Sequence, residues 1–394
     1  MAQGRRGQLK SANLQLVKQN NLTLLFRLIY AKEPLSRADL AHITGLSPTT
    51  VSTLVDELVS DGMVNIVGAA KTTTSGRKPI MLKVNPDGGY MVGVELTPDG
   101  FSMAAFDLRM NQVAQIDKSV SDYKLIGQEI ISGIEQTLAR LGADERRLNG
   151  VCIGVPGLMD NETRRVVSST VIPIDDENDF YDAIRARFPD VSLRMGNESG
   201  FCAYIEKTHM AREVHSLVYI ELNEGIGAGI IIEDRIFTGA FGNAGEFGHI
   251  SVDLNGKKCK CGNRGCLEAE VNLSAIRDEF KKVLGSECDL SLARGAIEAG
   301  NRDAYGVLDG ICRTLAAGIN NVINILNPDA IVIGGAAAQL GDMFLNCVSE
   351  HISKISVKSG DKKPIISLSA VKGNPVTQGC ARYMLDHALT KNVF

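Results

Sequence analysis

The sequence of 394 residues predicts an α/β protein with a small helical head and a larger body. Three observations support this division. Residues 1–84 hold eleven Lys and Arg against five Asp and Glu, whereas the whole chain has a net charge of −4. Apolar residues recur at helical spacing in the head, and they alternate at every second position in parts of the body. A basic head on an acidic body indicates that the head meets a polyanion.

The head begins with two predicted helices. Four apolar residues share one face of the first helix: Leu24, Leu25, Leu28 and Ile29. Pro34 ends that helix, and Ser36 caps the next one. Asp39, three residues on, completes a capping box, and Gly45 closes the second helix.

A third helix is predicted after Gly45. Ser47 is a suitable N-cap and Pro48 a suitable first residue. Its buried stripe has the spacing i, i+3, i+4, i+7 and consists of Val51, Leu54, Val55 and Leu58. Short hydroxyl side chains remain near its amino end, where they allow close entry into a major groove and contacts to phosphates and bases.

Residues 63–68 and 78–84 are predicted to be two strands around a flexible basic tip. Three helices followed by such a hairpin are typical of a winged helix-turn-helix. The alternative is a small helical packing domain with an incidental positive face. The helix caps, the spacing of the apolar residues and the positive charge together favour DNA binding. Seven residues are candidates for contacts with DNA: Ser47, Thr49, Thr50, Ser52, Thr53, Arg77 and Lys78.

The body shows the same rhythm twice, at residues 89–115 and 216–239. Each stretch predicts strands joined by glycine turns, with helical segments following. The repetition indicates a duplicated α/β unit with a cleft between its halves. Residues 85–90 are a plausible hinge, so the predicted domains are 1–84 and 85–394.

Six motifs of the body, taken in order, resemble those of the ROK family of bacterial sugar kinases and sugar-responsive transcriptional repressors. They lie at residues 154–160, 196–206, 223–230, 242–249, 259–268 and 327–335. The resemblance implies a two-lobed, actin-like (ribonuclease H-like) sugar-kinase fold. Repressors of this family add an amino-terminal winged helix-turn-helix. The resemblance therefore implies a sugar-responsive, DNA-binding repressor of carbohydrate-utilisation genes.

Three of the nine cysteines cluster, at Cys259, Cys261 and Cys266, ten residues and more after His249. Three thiolates and one imidazole match a closed tetrahedral zinc site, whose four protein ligands exclude a reacting water. A structural Zn²⁺ is therefore expected in the loop 249–268. A disulfide is the alternative, but three cysteines leave an odd thiol.

The resemblance also implies which residues bind sugar hydroxyls. The matching positions are Asn197, Glu198, Glu246, His249 and Glu268. Carboxylates suit this task because each accepts two hydrogen bonds, and an amide both donates and accepts. The alternative is that these are ordinary solvated carboxylates.

Two loops and the catalytic position depart from the pattern of a family kinase. The first phosphate loop resembles Asp-X-Gly-Gly-Thr in such kinases, but here Leu96 and Pro98 are expected to obstruct it. The second, usually Gly-Thr-Gly, carries the anionic Glu224. Glu198 replaces the catalytic Asp, and its added methylene displaces the base. We expect a protein without kinase activity; the alternative is an active ATP-dependent sugar kinase with a fused DNA-binding domain.

The expected partners follow from this interpretation. They are a double-stranded DNA operator, a monosaccharide effector and further copies of the chain. A homodimer or homotetramer is expected because one winged helix makes few DNA contacts, and paired half-sites multiply them. A sugar-transport protein is the alternative inducing signal. The amino terminus has no signal-peptide pattern and no later stretch spans a bilayer, so a cytoplasmic location without membrane insertion is expected.

Overall fold

The computed structural model describes residues 2–69, 79–160, 163, 165–169, 171–174, 179–357 and 363–387, with side chains from residue 16 onward. The chain divides into two compact units. The first comprises Met1–Val155, Thr170–Met195 and Cys380–Phe394, and the second comprises Pro156–Ser169 and Gly196–Gly379. In the described ranges, no helix combines the length and the apolar character needed to cross a bilayer.

The helices of the described residues are α1 (Ala2–Lys32), α2 (Arg37–Thr44), α3 (Pro48–Ser60), α4 (Ile126–Arg140), α5 (Phe180–Arg187), α6 (Glu198–Thr208), α7 (Leu267–Val271), α8 (Leu273–Leu284), α9 (Leu290–Glu298), α10 (Arg302–Leu326), α11 (Asp342–Ile355) and α12 (Pro375–His387). The strands are β1 (Leu35–Ser36), β2 (Val64–Ala69), β3 (Ile80–Val84), β4 (Tyr90–Thr97), β5 (Gly100–Asp107), β6 (Gln112–Ser119), β7 (Leu148–Val155), β8 (Leu158–Met159), β9 (Val166–Ser168), β10 (Ser192–Asn197), β11 (Leu217–Leu222), β12 (Ile226–Ile232), β13 (Arg235–Ile236), β14 (Ala330–Gly334) and β15 (Ile365–Leu368).

The winged helix-turn-helix of the head is confirmed in its helices and its strands. Ser36 and Asp39 form the capping box of α2, in which the Ser36 backbone N–H donates to the Asp39 carboxylate at 2.9 Å. Gly45 ends this helix in the left-handed conformation, at φ +70°. The predicted stripe of α3 is buried throughout: Val51, Leu54, Val55 and Leu58.

The apolar face of α1 differs from the prediction. Leu25 and Ile29 are buried as expected, but Leu24 is 42% exposed and Phe26 takes part in the core instead. The packed face is centred on positions 25, 26 and 29, which α1 presents to α3 and β3. Since adjacent helical residues point about 100° apart, Leu24 lies outside that face.

The strands of the head form a three-stranded sheet of order β1-β3-β2. Leu35 and Ser36 pair antiparallel with Leu82 and Met81, an edge strand that the sequence did not predict because it is only two residues long. Arg77 and Lys78, the candidate residues at the wing tip, lie outside the described residues.

The duplication in the body is confirmed by two five-stranded sheets. The first has the order β10-β7-β4-β5-β6 and the second β13-β12-β11-β14-β15. In each, three antiparallel strands are followed by a strand that pairs parallel with the first, β7 with β4 and β14 with β11. The six cysteines outside the Cys-rich stretch are buried, as expected of core thiols: Cys152, Cys202, Cys288, Cys312, Cys347 and Cys380.

The connection at residues 85–90 is closely packed against its neighbours in the first unit. The Asn85 backbone N–H donates to Met63 O at 2.9 Å. A Cβ atom on Gly88 would lie 2.2 Å from Gly62 O, and one on Gly89 would lie 1.6 Å from Asn149 Oδ1. Glycine is therefore required at position 88, where the neighbouring atom is a backbone oxygen, whereas a side chain at position 89 would displace the Asn149 amide.

Candidate functional site

The Cys-rich loop (residues 249–268) brings the four predicted metal ligands together. The ligand atoms of His249, Cys259, Cys261 and Cys266 all lie within 4.8 Å of one another. The Sγ atoms of Cys261 and Cys266 are 3.6 Å apart, and Cys259 Sγ is 3.7 Å from His249 Nδ1. Tetrahedral zinc, with bonds of about 2.0–2.3 Å, places its ligand atoms roughly 3.3–3.8 Å apart, so these separations suit such an ion.

The loop reaches this geometry through tight backbone turns. The Cys259 N–H donates to Asn263 O at 2.8 Å, and isolated bridges pair Ser251 with Cys266 and Lys258 with Arg264. Gly265 has φ +64°, and a Cβ atom there would lie 1.5 Å from Asp253 O. A side chain at this position would therefore break the turn that carries Cys266.

The electrostatics of the loop favour a thiolate at its exposed end. The backbone N–H of Asn263 lowers the pKa of the Cys261 thiol. Cys266, in contrast to the exposed Cys261, is fully buried, and it lies at the amino end of α7. Metal ligation requires deprotonated cysteine, so the hydrogen bond to Cys261 acts in the direction that ligation needs.

The imidazole of His249 faces two groups at once. Its Nδ1 is the atom beside Cys259, while its Nε2 is 3.8 Å from Glu246 Oε2. His249 is the last residue of a one-turn 3-10 helix, Phe247–His249, and Glu246 is the residue that precedes this helix. One ring can therefore serve the cysteine cluster through one nitrogen and the neighbouring carboxylate or a ligand through the other.

One predicted sugar-binding carboxylate, Glu246, lies beside this ring, and the charge of a second, Glu268, acts on Glu246. Burial raises the pKa of Glu246, and the charge of Glu268 raises it further, against the opposing effect of His249. Glu268, in the first turn of α7, accepts a hydrogen bond from the Ile226 N–H at 3.0 Å. Glu246 thus interacts with both His249 and Glu268.

Asn197 and Glu198 occupy the amino end of α6. Asn197 is the N-cap: its Oδ1 accepts from the Ser199 N–H at 3.0 Å, and its Nδ2 donates to Gly157 O at 3.1 Å. A Cβ atom at Gly227 would lie 3.0 Å from Ser199 Oγ. The amino end of α6 therefore meets the start of β12, the segment whose Ile226 N–H binds Glu268.

Sequence reasoning missed Glu221 of β11. One of its carboxylate oxygens accepts from Asn223 Nδ2 at 2.9 Å, and the other accepts from Ser199 Oγ at 3.3 Å. This carboxylate joins α6 to the turn after β11. Its only signal in the sequence is an acidic residue inside the apolar run of a buried strand.

The candidate DNA-binding hydroxyls lie at the amino end of α3. Ser47 caps the helix by accepting from the Thr50 N–H at 3.1 Å, and it also contacts Thr50 Oγ1 at 2.8 Å. Thr49 and Thr53 are exposed, and Ser52 is half-buried. The structure thus places five of the seven candidates on one helix end.

A model of the ROK family matches residues 91–386, and a model described as winged helix-turn-helix DNA-binding matches residues 23–65. The chain belongs to the ROK family. Together the two matches cover both parts of the protein that the sequence predicted.

Among ROK proteins, the chain is 30% identical to the xylose repressor of Bacillus spizizenii over 387 residues, which cover 96% of this chain and 98% of the relative. A solved ROK family transcriptional regulator, a homologue of the E. coli MLC protein, has a TM-score of 0.82 and 25% identity, covering 95% and 97% of the two chains. The ROK hexokinase of Thermus thermophilus shares the fold, with a TM-score of 0.63 and 19% identity, covering 74% of this chain and 96% of its own.

The turn after β11, which the resemblance matched to a phosphate loop of the family's kinases, has partners within the second unit. Asn223 Oδ1 accepts from the Ala336 N–H at 2.8 Å, which occupies a backbone donor of the glycine turn after β14. Glu224 accepts from Ser274 Oγ at 2.6 Å and lies 3.4 Å from Arg277. Its negative charge is therefore held at this turn.

The first loop is a tight hairpin turn. Thr97 pairs with Gly100, so Pro98 and Asp99 alone connect β4 and β5. Leu96 is buried in the first unit. Pro98 has no backbone amide to donate at this turn.

Proposed function

We propose that this protein is a sugar-responsive DNA-binding repressor of carbohydrate-utilisation genes, with a structural Zn²⁺ and a body that does not transfer phosphate. The observation that carries the proposal is the orientation of His249, with Nδ1 beside Cys259 and Nε2 facing Glu246. If Nδ1 binds zinc, the proton of the neutral ring resides on Nε2. The ring then donates toward Glu246 or a bound hydroxyl, so the metal orients the sugar site.

The sugar site consists of Asn197, Glu198, Glu246, His249 and Glu268. Zinc bound by His249, Cys259, Cys261 and Cys266 would hold the loop that carries Glu246 and Glu268. With four protein ligands the ion would have no open position for water, so its contribution is to order the loop. Carboxylates that accept paired hydrogen bonds suit adjacent hydroxyls of a monosaccharide.

Loss of phosphoryl transfer is supported by the contacts of the second loop. Ser274 and Arg277 contact the carboxylate of Glu224 at the turn, so an acceptor occupies the place where a threonine hydroxyl would donate to a nucleotide phosphate. Asn223 already occupies the Ala336 N–H. Backbone donors of such turns are the groups that bind phosphates, so their use by a side chain weakens a nucleotide site.

The proposed partners are an operator DNA and a monosaccharide. The related protein from Bacillus spizizenii is named a xylose repressor, which makes xylose the first effector to test. Ser47, Thr49, Thr50, Ser52 and Thr53 on α3, with Arg77 and Lys78 at the wing, are the proposed DNA contacts. We propose a homodimer or homotetramer, because two heads on paired half-sites bind DNA more tightly than one.

A gel mobility-shift titration tests this function. Purified full-length protein is titrated against the DNA upstream of its own gene, alone and with xylose, glucose or N-acetylglucosamine. One sugar should release the DNA by binding preferentially to the state with low operator affinity. Glu246→Gln should keep DNA binding and lose the sugar response, whereas Glu279→Gln, on the exposed side of α8, should keep both.

Two outcomes contradict the proposal. If no sugar alters the shift but a purified sugar-transport protein does, the effector is that protein. If the pure chain consumes ATP in a sugar-dependent coupled assay, it is an active kinase with a DNA-binding head.

A further inference from the structure

Helices α10 and α11 pack against each other in the second unit and carry a second group of metal-ligating side chains. Asp309 lies on α10, and Cys347 and His351 lie on α11. The two residues of α11 are four positions apart, so they project from one face of the helix. Paired ligands at this spacing on a helix are a known arrangement for a metal ion.

The ligand atoms of the three residues already converge. His351 Nε2 is 2.8 Å from Asp309 Oδ1, and Cys347 Sγ is 4.0 Å from the same oxygen. All three atoms lie within 4.8 Å of one another. A bound zinc-type ion would require the nitrogen and oxygen to separate to roughly 3.3 Å, a change within the reach of side-chain rotation.

We propose that Asp309, Cys347 and His351 form a second metal site, specific for a divalent first-row transition ion of the zinc type. One thiolate, one imidazole and one carboxylate form a mixed set that suits Zn²⁺ and related ions and is a poor match for Mg²⁺ or Ca²⁺. The site is separate from the Cys-rich loop, and the inference does not depend on the proposed sugar response.

The surroundings of the three residues fit partial access from solvent. The Cys347 residue is 4% exposed, the His351 side chain 15% and the Asp309 side chain 44%. An ion could therefore enter from the Asp309 side while the thiolate stays protected. Three protein ligands leave one position for water, so the affinity should be lower than that of the four-ligand loop.

Cys312 lies three residues after Asp309 on α10, next to the proposed ligand Cys347. It is fully buried, and its Sγ is 3.8 Å from Phe344 O. Its thiol also hydrogen-bonds that of Cys347, but Cys312 is not among the residues whose ligand atoms all lie within 4.8 Å of one another. We therefore assign three protein ligands to the ion.

Cobalt titration of the full-length protein tests the site, because Co²⁺ reports thiolate ligation through its absorbance. Apo protein, stripped with a chelator under reducing conditions, is titrated with Co²⁺, and bound metal is also counted by elemental analysis. The His351→Ala variant should bind one ion fewer per chain than the wild type. With both sites filled, it should lose half the bound cobalt but only about a quarter of the thiolate absorbance, because it loses one of four Co–S bonds.

The matched control is His209→Ala, which removes an exposed histidine whose Nδ1 lies 3.0 Å from Ile205 O; it should bind as much cobalt as the wild type. Asp309→Asn keeps the shape of its side chain and should also lose one ion, which guards against misfolding of the histidine variant. If the wild type, His351→Ala and Asp309→Asn bind equal amounts of cobalt, the group is only a contact between helices and the proposal is wrong. This difference is readable whether or not the Cys-rich loop holds metal.

Discussion

Glu33 Oε1 is 3.1 Å from a guanidinium nitrogen of Arg109, while Glu33 Oε2 accepts from the Val84 N–H at 2.6 Å. A single carboxylate at the end of α1 thus connects the wing strand β3 with the turn between β5 and β6. Arg109 also lies over the Tyr30 ring at 5.6 Å, and Arg382 of α12 lies 5.0 Å from the same ring. The head is therefore attached to the first sheet and to α12 by a small group of charged and aromatic side chains.

We expect Glu33→Ala to lower the free energy of unfolding by about 1.5–3 kcal/mol, because it leaves the Val84 N–H without its charged acceptor. Glu33→Gln keeps an acceptor and should cost less. Glu57→Ala, which removes a solvent-exposed pair with Lys18, is the control and should cost at most ~1 kcal/mol. Urea denaturation of the three variants measures the order of these losses; equal losses would show that the charged acceptor of the Val84 N–H has no special role.

The amino end of α3 should determine operator affinity. Thr49→Ala and Ser52→Ala should each weaken operator binding by about 1–3 kcal/mol if the hydroxyl contacts a base edge. Thermal stability should change little, because neither side chain caps the helix. Ser60→Ala, at the opposite end of α3, is the matched control for fluorescence-anisotropy titrations; a loss there as large as at Thr49 would argue against groove entry by the amino end.

The Cys-rich loop should owe its stability to metal. Cys266→Ser should lose one bound zinc per chain and unfold at a lower temperature, because ligand loss removes the ion that orders residues 249–268. A chelator should lower the unfolding temperature of the wild type and leave that of Cys266→Ser nearly unchanged. Cys202→Ser, at another fully buried cysteine, should retain the metal. Equal zinc content in the two variants, by elemental analysis, would contradict the assignment.

The capping box of α2 should show a defined pH dependence. The backbone N–H of Ser36 lowers the pKa of Asp39 below its usual value of 3.8. A carboxylate with a lowered pKa stabilises the fold at neutral pH, and this contribution is lost as the pH falls through the folded-state pKa. Asp39→Asn should therefore cost about 1 kcal/mol at pH 7 and progressively less below about pH 4. A cost independent of pH, in denaturation curves across this range, would show that charge is not involved.

Local signals in the sequence were sufficient for much of the head. The caps of α2 and α3 were predictable because Ser36 with Asp39, and Ser47 with Thr50, interact within three residues of chain. The strand β1 was not predictable, because its two residues pair with β3 almost fifty positions later. The exposure of Leu24 depended equally on which side of α1 faces α3 and β3.

The sequence by itself determined the helical caps, the buried stripe of α3 and the composition of the Cys-rich loop, since these depend on neighbours along the chain. Tertiary structure alone decided that Asn223 occupies the Ala336 N–H across 113 residues and that Asp309 meets His351 across 42. It also decided that the two nitrogens of His249 face Cys259 and Glu246. The physical reason is that side chains interact only when they lie close in space. For residues far apart in the sequence, that proximity is determined by how sheets and helices pack.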